Sequence, residues 1–141
     1  MPDDDFLNGV QSGLTIWNEE QNIPGREIRT VVLALFNGNI VYASGENATY
    51  AGVEVIDITD SKEPFSGNMT VLLKDGSVSN QTFEGEATFN EGPGRVSGIG
   101  KWTMAGGTGR FASLFGGGQF KWAIDGDKYH AEFRGRSKIA A

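Results

Sequence analysis

The chain contains no cysteine, one histidine and four prolines among its 141 residues. Without cysteine it can form no disulfide, no thiolate zinc site, no iron–sulfur cluster and no cysteine nucleophile. No apolar run approaches the roughly 18 residues that a membrane-spanning helix needs, so we predict no membrane partner. With a single histidine and no carboxylates clustered at ligand spacing, we predict no metal site and no cofactor.

Basic residues are scarce in the first part of the chain. Residues 1–91 hold 15 of the 18 acidic residues, and residues 92–141 hold eight of the 12 basic ones, so the formal charges are −11 and +5. The total of −6 disfavours nucleic acid or an anionic membrane as a partner. We interpret the asymmetry as oppositely charged strands that lie beside each other in one sheet or meet across a subunit contact.

The first five residues, Met1-Pro2-Asp3-Asp4-Asp5, are acidic, and no apolar run of signal-peptide length follows them. We therefore predict a cytoplasmic protein. The expected organisation is a flexible acidic N-terminus over residues 1–10 and a single folded domain over residues 11–141.

Glycine is in excess, with 21 residues, and it punctuates a series of strand-like segments. Asn8-Gly9, Asn37-Gly38, Asp75-Gly76 and Asp125-Gly126 predict tight turns, because Asn, Asp and Gly adopt positive φ at little steric cost. The segments between them are apolar and β-branched, or alternate between apolar and polar residues. The predicted strands are Leu14–Asn18, Ile28–Phe36, Ile40–Ser44, Val53–Thr59, Met69–Lys74, Ser77–Asn90, Arg95–Met104, Gly118–Ile124 and Lys128–Arg136.

Eight or nine short strands with almost no helical periodicity predict an all-β protein. A meander of eight strands closes most economically into an antiparallel up-and-down β-barrel, because closure leaves no strand edge unpaired. An eight-stranded barrel is filled by side chains or holds one small ligand, as in lipocalins. Gly85, Gly98, Gly100 and Gly118 share faces with large aromatic residues, which predicts either a hollowed interior or strands that bend.

One glycine-rich segment, Gly107-Thr108-Gly109-Arg110-Phe111-Ala112, matches the G-x-G-x-x-A pattern of dinucleotide sites. That pattern must open the helix of a βαβ unit. Here a second glycine cluster and a strand follow within a few residues, so the pattern does not indicate a nucleotide site.

The same segment, AGGTGRF at residues 105–111, is followed by Gly116-Gly117-Gly118 and by a strand that ends near Phe133-Arg134-Gly135. It resembles the GGTG-x-F signature of the allene oxide cyclase and dirigent barrel families and of bacterial proteins of related barrel type, over roughly residues 83–136. A bacterial or fungal biosynthetic cyclase is the closer analogy than a plant member. In this resemblance the glycines form a corner between strands and Phe111 plugs the barrel end.

The resemblance implies a cofactor-free eight-stranded barrel that encloses a hydrophobic small molecule. Members of these families steer the cyclisation, isomerisation or coupling of a reactive intermediate mainly by shape, which requires a substrate held in one conformer and shielded from water. They are usually oligomeric, so we expect a homo-oligomer here, either a dimer or a trimer.

Ionisable side chains that face the cavity would carry any chemistry. His130, Glu132 and Glu86 are the candidate acid–base groups, and Tyr42 is a candidate hydrogen-bond donor together with Tyr50 and Tyr129. A solvated surface position is the alternative for the histidine and the glutamates, because a register error of one residue exchanges the two faces of a strand. The predicted substrate-binding residues, for which ligand-free core packing is the alternative, are Trp17, Phe89, Trp102, Phe120, Trp122 and Tyr129.

Two functions therefore remain open. The leading hypothesis is a cofactor-free cyclase or isomerase that folds a hydrophobic biosynthetic intermediate inside the barrel. The alternative is a non-catalytic carrier or guide that binds a small molecule without changing it, and a completely filled structural barrel is a third possibility. Buried ionisable groups in the cavity would favour the enzyme, and a cavity without them would favour the carrier.

Overall fold

The computed structural model describes residues 6–25, 29–59, 63–89, 95–126 and 128–137, with the backbone alone described at residues 88, 89, 95 and 96. The strands are β1 (Gly9–Ile23), β2 (Arg29–Tyr42), β3 (Asn47–Thr59), β4 (Pro64–Leu73), β5 (Val78–Phe89), β6 (Arg95–Gly107), β7 (Phe115–Asp125) and β8 (Lys128–Ser137). Each strand pairs antiparallel with the next, and β8 pairs with β1. The prediction of a closed eight-stranded antiparallel up-and-down barrel is confirmed. Within the described ranges, no helix is long and apolar enough to cross a membrane.

Strand β1 is longer than the segment through which it pairs with β8 and closes the barrel. Residues Gly9 to Leu14 pair with β8, whereas the pairing of β1 with β2 continues to Ile23. The register shifts between Thr15 and Trp17, which marks a β-bulge. Because a bulge inserts one extra residue, the side chains that follow it change faces.

One end of the barrel is closed by a hydrophobic plug, which comprises Phe6, Leu7, Phe111 and Leu114. All four side chains are buried. The Phe6 and Phe111 rings lie 5.0 Å apart, and Phe111 belongs to the 3-10 turn Gly109–Phe111 between β6 and β7. The placement of Phe111 in a barrel end agrees with the role expected from the GGTG-x-F segment.

Polar contacts hold the 3-10 turn against two neighbouring turns, the one between β2 and β3 and the one between β4 and β5. The Arg110 guanidinium donates hydrogen bonds to both carboxylate oxygens of Glu46, and it lies 4.7 Å from the centre of the Phe6 ring. The Ser77 hydroxyl accepts a hydrogen bond of 3.0 Å from the Arg110 backbone N–H. Gly109 adopts a φ of +57°, a conformation that favours glycine, and this allows the chain to turn there.

Glycines on the inner faces of the strands lie under aromatic rings from other strands. A Cβ built on Gly100 would come within 2.5 Å of the Phe120 ring, and one built on Gly98 would meet the Trp122 indole at 3.0 Å. The strand glycines therefore accommodate rings that lie flat against the wall. The other pairs of this kind are Gly9 with Phe133, Gly13 with Tyr50, Gly52 with Phe36, Gly67 with Phe83, Gly85 with Phe65, and Gly135 with Trp102.

Two of the four predicted tight turns are confirmed and one is wrong. Gly76 and Gly126 adopt positive φ between β4 and β5 and between β7 and β8. Asn37-Gly38 instead lies inside the continuous strand β2. Gly38 is opposite Gly13 of β1, and a Cβ on Gly38 would collide with the Ser12 carbonyl oxygen. This glycine therefore allows β1 and β2 to approach closely and does not form a turn. The Asn8-Gly9 pair stands where β1 begins.

The strand boundaries differ from the prediction mainly near the ends of the barrel. Strand β4 begins at Pro64, five residues before the predicted start at Met69, and β3 begins six residues earlier than predicted, at Asn47. The chain turns between β2 and β3 at Gly45, which adopts a φ of +92°. In a closed barrel each strand pairs with a neighbour along both edges. The strands therefore extend beyond their most apolar stretches.

The segment predicted to be a flexible N-terminus, residues 1–10, includes residues 6–10 of the described structure. Phe6 and Leu7 are buried in the plug, and β1 begins at Gly9. Residues 1–5, on which the prediction of an acidic terminus rests, lie outside the described part of the chain.

Oppositely charged side chains face each other across neighbouring strands on the outer surface. Glu84 of β5 is opposite Lys101 of β6, and Lys121 of β7 is opposite Glu132 of β8. The interpretation that the acidic first part of the chain lies beside the basic second part is confirmed for the pair Glu84–Lys101, whereas Lys121 and Glu132 both belong to residues 92–141.

Candidate functional site

A cavity of about 140 Å³ lies inside the barrel. An apolar protein cavity of about 150 Å³ holds a molecule the size of benzene, so this space admits a small organic ligand. The barrel is therefore not completely filled by its own side chains. The apolar lining consists of Phe36, Ile40, Ile56, Phe65, Met69, Phe83, Ala87, Trp102, Phe120, Trp122, Ile124 and Phe133, and the polar lining of Gln11, Thr15, Tyr42, Glu54, Glu63, Gln81 and Tyr129.

Four of the six predicted substrate-binding residues line this cavity. They are Trp102, Phe120, Trp122 and Tyr129. The Trp122 and Tyr129 rings stack with their centres 6.5 Å apart. Their rings form one continuous aromatic wall with Phe65, whose ring is 5.3 Å from that of Trp122.

The other two predicted binding residues do not contribute a described side chain to the cavity. Trp17 follows the bulge in β1, pairs with Leu35 and lies on the outer face with 44% of its surface exposed. Phe89 is the last residue of β5, and its side chain lies outside the described part of the structure.

Only one of the four predicted catalytic residues, Tyr42, lines the cavity. His130 and Glu132 are exposed on β8, and Glu86 is exposed on β5. The neighbours Tyr129 and Ala131 of β8 face inward, and residues on a strand alternate between faces, so His130 and Glu132 point away from the cavity. Chemistry inside the barrel falls to other ionisable groups.

Glu54 is one of two carboxyl groups in the described lining of the cavity. It lies on β3, opposite Ala34 of β2 and Gly67 of β4. Removal from water raises the pKa of Glu54 to about 7, because burial disfavours the charged form. At neutral pH this carboxyl group therefore exchanges readily between its acid and base forms.

Tyr129 of β8 lines the same cavity, and Glu54 acts on it electrostatically. Burial is the main cause that raises the pKa of Tyr129 above its ordinary value, and the nearby Tyr50 and Glu54 raise it further. The phenol is consequently neutral across the physiological pH range and serves as a hydrogen-bond donor.

Two glycines bring Tyr50 into the same group. In the register of the sheet, Gly38 is opposite both Tyr50 and Gly13, and Gly13 is opposite Tyr129. The Tyr50 hydroxyl reaches over Gly13 and donates a hydrogen bond of 3.1 Å to the Ser12 carbonyl oxygen. Burial raises the pKa of Tyr50 to about 12, partly offset by a hydrogen bond with Gln11. Glu54 and Tyr129 line the cavity, and Tyr50 is buried against Gly13, which is opposite Tyr129; we call these three residues the acid–phenol cluster.

Three hydrogen-bond donors in the cavity wall have no partner among the described residues. They are the Tyr42 hydroxyl and the indole N–H groups of Trp102 and Trp122, all fully buried. Buried polar groups are nearly always satisfied in folded proteins, so donors of this kind mark places where water or a ligand oxygen binds. Burial also raises the pKa of Tyr42, which keeps its hydroxyl protonated.

Glu63 is a second carboxyl group in the lining. It precedes β4 and is 6% exposed, and its carbonyl oxygen accepts a hydrogen bond of 2.9 Å from the Ala87 backbone N–H. One carboxyl oxygen, Oε2, has no hydrogen-bond partner in the described structure. Burial raises the pKa of Glu63 above its ordinary value.

The sequence carried an ambiguous signal for Glu54. In the run VEVIDIT at residues 53–59, each face of the strand holds one acidic residue among apolar ones. Asp57 faces outward and forms a salt bridge with Arg29, whereas Glu54 faces inward. Alternation alone cannot distinguish these two acids, because the choice of face depends on which strands pair on either side.

Among the residues that the structure describes, no three histidine, cysteine, aspartate or glutamate side chains are arranged to hold a metal ion. The described lining of the cavity offers carboxyl, phenol, indole and amide groups around an aromatic space. Comparisons with models of protein families, with curated proteins and with solved structures found no match for this chain.

Proposed function

We propose that the protein is a cofactor-free isomerase or cyclase that encloses a small hydrophobic molecule and transfers a proton to and from it through Glu54. The observation that carries this proposal is the Glu54 carboxyl group in the lining of an aromatic cavity that the neutral phenol of Tyr129 also lines. A buried carboxyl group that titrates near pH 7 is suited to act as both base and acid in one cycle.

The proposed chemistry is a proton-transfer isomerisation next to a carbonyl group. The Glu54 carboxylate removes a proton from the carbon beside the carbonyl, and the electron pair moves onto the carbonyl oxygen. The Tyr129 hydroxyl donates a hydrogen bond to that oxygen and stabilises its negative charge. The protonated Glu54 then returns the proton to another carbon of the same molecule, so that no atom or electron is gained or lost.

The aromatic wall contributes to this proposal by shape. Phe65, Phe120 and Trp122 present flat faces and edges to the cavity and hold a planar, unsaturated intermediate in one orientation. An enclosed apolar space also excludes water, which strengthens the hydrogen bond to the developing oxyanion. In a cyclase, the same walls would hold the reacting ends of the substrate together.

Cyclohex-3-enone is a suitable probe, because its conversion to the conjugated isomer moves one proton and is followed by ultraviolet absorbance. We expect the protein to accelerate this conversion, with a rate that rises as the pH increases through about 7 and Glu54 becomes the carboxylate. Glu54→Gln should lower the rate by about 10²–10⁴-fold, as expected for a general base. Glu84→Gln, a matched change on the outer face, should leave the rate unchanged.

A non-catalytic carrier or guide is the second candidate function, and the unpaired donors Tyr42, Trp102 and Trp122 favour it. These groups would hold ligand oxygens without any proton transfer. Binding of cyclohex-3-enone in the cavity is detected by quenching of tryptophan fluorescence. If the compound binds but isomerises only at the background rate, the isomerase hypothesis is refuted and the carrier hypothesis is supported.

A further inference from the structure

The described lining of the cavity contains two carboxyl groups and no basic side chain. Glu54 and Glu63 contribute the carboxyls, and every other polar group in the lining is a neutral amide, hydroxyl or indole. A ligand with a carboxylate or phosphate would find no positive charge there and would be repelled by the ionised glutamates. A ligand with a positive charge would find two counter-charges.

Glu63 is the better placed of the two carboxyls to bind such a charge. Its side chain is buried, and its Oε2 atom lacks a donor among the described residues. A buried acceptor that is left unpaired destabilises the folded state, and more so when it is ionised, so a donor supplied by a ligand would offset that cost. An ammonium group offers three N–H donors and the opposite charge.

Aromatic rings that line the same cavity as Glu63 provide a second source of attraction for a cation. Phe65 follows Glu63 by two residues and is buried in the same wall, and its ring contacts those of Phe83, Phe120 and Trp122 at centre distances of 6.2, 6.3 and 5.3 Å. Aromatic faces attract alkylammonium ions, with Trp the strongest, and the effect grows when water is excluded.

We infer that the cavity is selective for a small primary amine with an apolar body, whose ammonium group binds the Glu63 carboxylate while its hydrocarbon part lies among Phe65, Phe120 and Trp122. This inference rests on the proposed function in one respect only, because it names the class of substrate for the same cavity. Glu54 remains with the phenols of Tyr50 and Tyr129 and stays available for proton transfer. The overall charge of −6 favours the approach of a cation to the protein.

The test compares three probes that share one ring and differ in one group: cyclohexylmethylamine, cyclohexylmethanol and cyclohexanecarboxylic acid. Binding of each to the full chain is measured by isothermal titration calorimetry at pH 7.5. We expect the amine to bind at least tenfold more tightly than the alcohol, and the acid to show no binding. Equal affinities for the amine and the alcohol, or tighter binding of the acid, would overturn the inference.

Two variants locate the ammonium group. Glu63→Gln should weaken binding of the amine at least tenfold and leave binding of the alcohol unchanged, whereas Glu84→Gln on the outer face should change neither. If Glu63→Gln does not fold, as judged by circular dichroism, the probe series on the wild-type chain still decides the matter. Amine binding involves no turnover, so an inactive protein that prefers the amine refutes only the proposed isomerase, and an active one without this preference refutes only the inference.

Discussion

At the scale of single residues, the packing of the barrel depends on pairs of a glycine and an aromatic ring, in which the ring fills the space that a side chain on the glycine would need. Gly100 and Phe120 illustrate the relation, since the ring lies where the glycine would otherwise carry a side chain. The excess of glycine in the sequence thus has two causes: glycines in the strands leave room for aromatic rings, and glycines in the turns adopt positive φ. The alternation pattern placed the two residue types on one face, but it could not show that they are in contact across strands.

Gly100→Ala should destabilise the fold by about 1–3 kcal/mol, because overpacking a filled site forces neighbouring groups to move. The new methyl group would lie 2.5 Å from the Phe120 ring and 2.7 Å from the Glu84 carbonyl oxygen. Urea unfolding monitored by tryptophan fluorescence measures the change. Gly25→Ala is the matched control, since a Cβ there meets nothing within 4 Å, and it should stay within about 1 kcal/mol of the wild type. Equal effects of the two substitutions would show that the ring does not occupy the space.

Glu54 should make stability depend on pH in an unusual direction. Its pKa is raised from 4.5 to about 7 in the folded state, so between these values the folded protein binds more protons than the unfolded chain. The free energy of unfolding should therefore fall as the pH rises through this window, by up to about 3 kcal/mol. Glu54→Gln should remove this part of the dependence, and above pH 7 it should be more stable than the wild type.

Urea unfolding of both proteins at pH 5 and pH 8 provides the measurement. Comparing the two proteins cancels the contributions of Asp57 and Asp75, whose pKa values are lowered and which act in the opposite direction at more acidic pH. An unchanged difference between wild type and variant at the two pH values would mean that Glu54 is solvated.

At the scale of elements, the 3-10 turn Gly109–Phe111 and the residues before β1 close one end of the barrel, and the plug depends on contacts that are remote in sequence. Phe6 and Phe111 meet from opposite parts of the chain, and Glu46 of the β2–β3 turn binds Arg110. The GGTG-x-F segment predicted the corner and the plugging phenylalanine. No local pattern indicated that Phe6 and Leu7 would join it, because two apolar residues next to an acidic terminus carry no periodicity.

Phe111→Ala should lower the free energy of unfolding by about 3–5 kcal/mol, the usual cost of deleting a buried phenylalanine ring. Phe111 is fully buried, whereas Phe115, four residues later, is 47% exposed. Phe115→Ala is thus a control with the same chemistry, and it should cost much less. Thermal and urea unfolding of both variants compare them. A Phe111→Ala variant as stable as Phe115→Ala would show that the plug is dispensable.

At the scale of the whole molecule, the outer surface of β1–β3 is unusually apolar for a barrel wall. Trp17, Leu33, Leu35 and Val55 are each between 38% and 44% exposed, and they form neighbouring cross-strand pairs, Trp17 with Leu35 and Leu33 with Val55. Contiguous apolar patches on soluble proteins commonly mark contacts with other chains. This outer apolar face is where we expect two or three copies of the chain to associate.

Leu35→Lys should shift the protein toward the monomer, because a charge at the centre of the outer apolar face would be buried in the contact. Sedimentation equilibrium over a series of protein concentrations measures the mass. Leu72→Lys, a similarly exposed position on β4, is the control and should leave the mass unchanged. A wild-type chain that stays monomeric throughout the series would contradict the expected dimer or trimer.

The amino-acid sequence was sufficient for the class of fold and for most of the strand order, because turn residues and the two-residue period of a strand are set by local sterics. Those same local rules also suggested Trp102, Phe120, Trp122 and Tyr129 as inward-facing residues. They failed where strands from distant parts of the chain approach each other. Asn37-Gly38 has the composition of a turn, yet the close approach of Gly13 keeps it in a strand.

Only the folded barrel determines which acidic residue of β3 lies in the cavity. Glu54 and Asp57 stand in equivalent surroundings along the chain, and the pairing of β3 with β2 and β4 sends one inward and the other to Arg29. The bulge in β1 likewise moved Trp17 to the outer surface. The pairing of all eight strands determines which side chains of a strand point into the barrel. Neither alternation nor composition could therefore distinguish Glu54, the catalytic candidate, from Asp57, which forms a surface salt bridge.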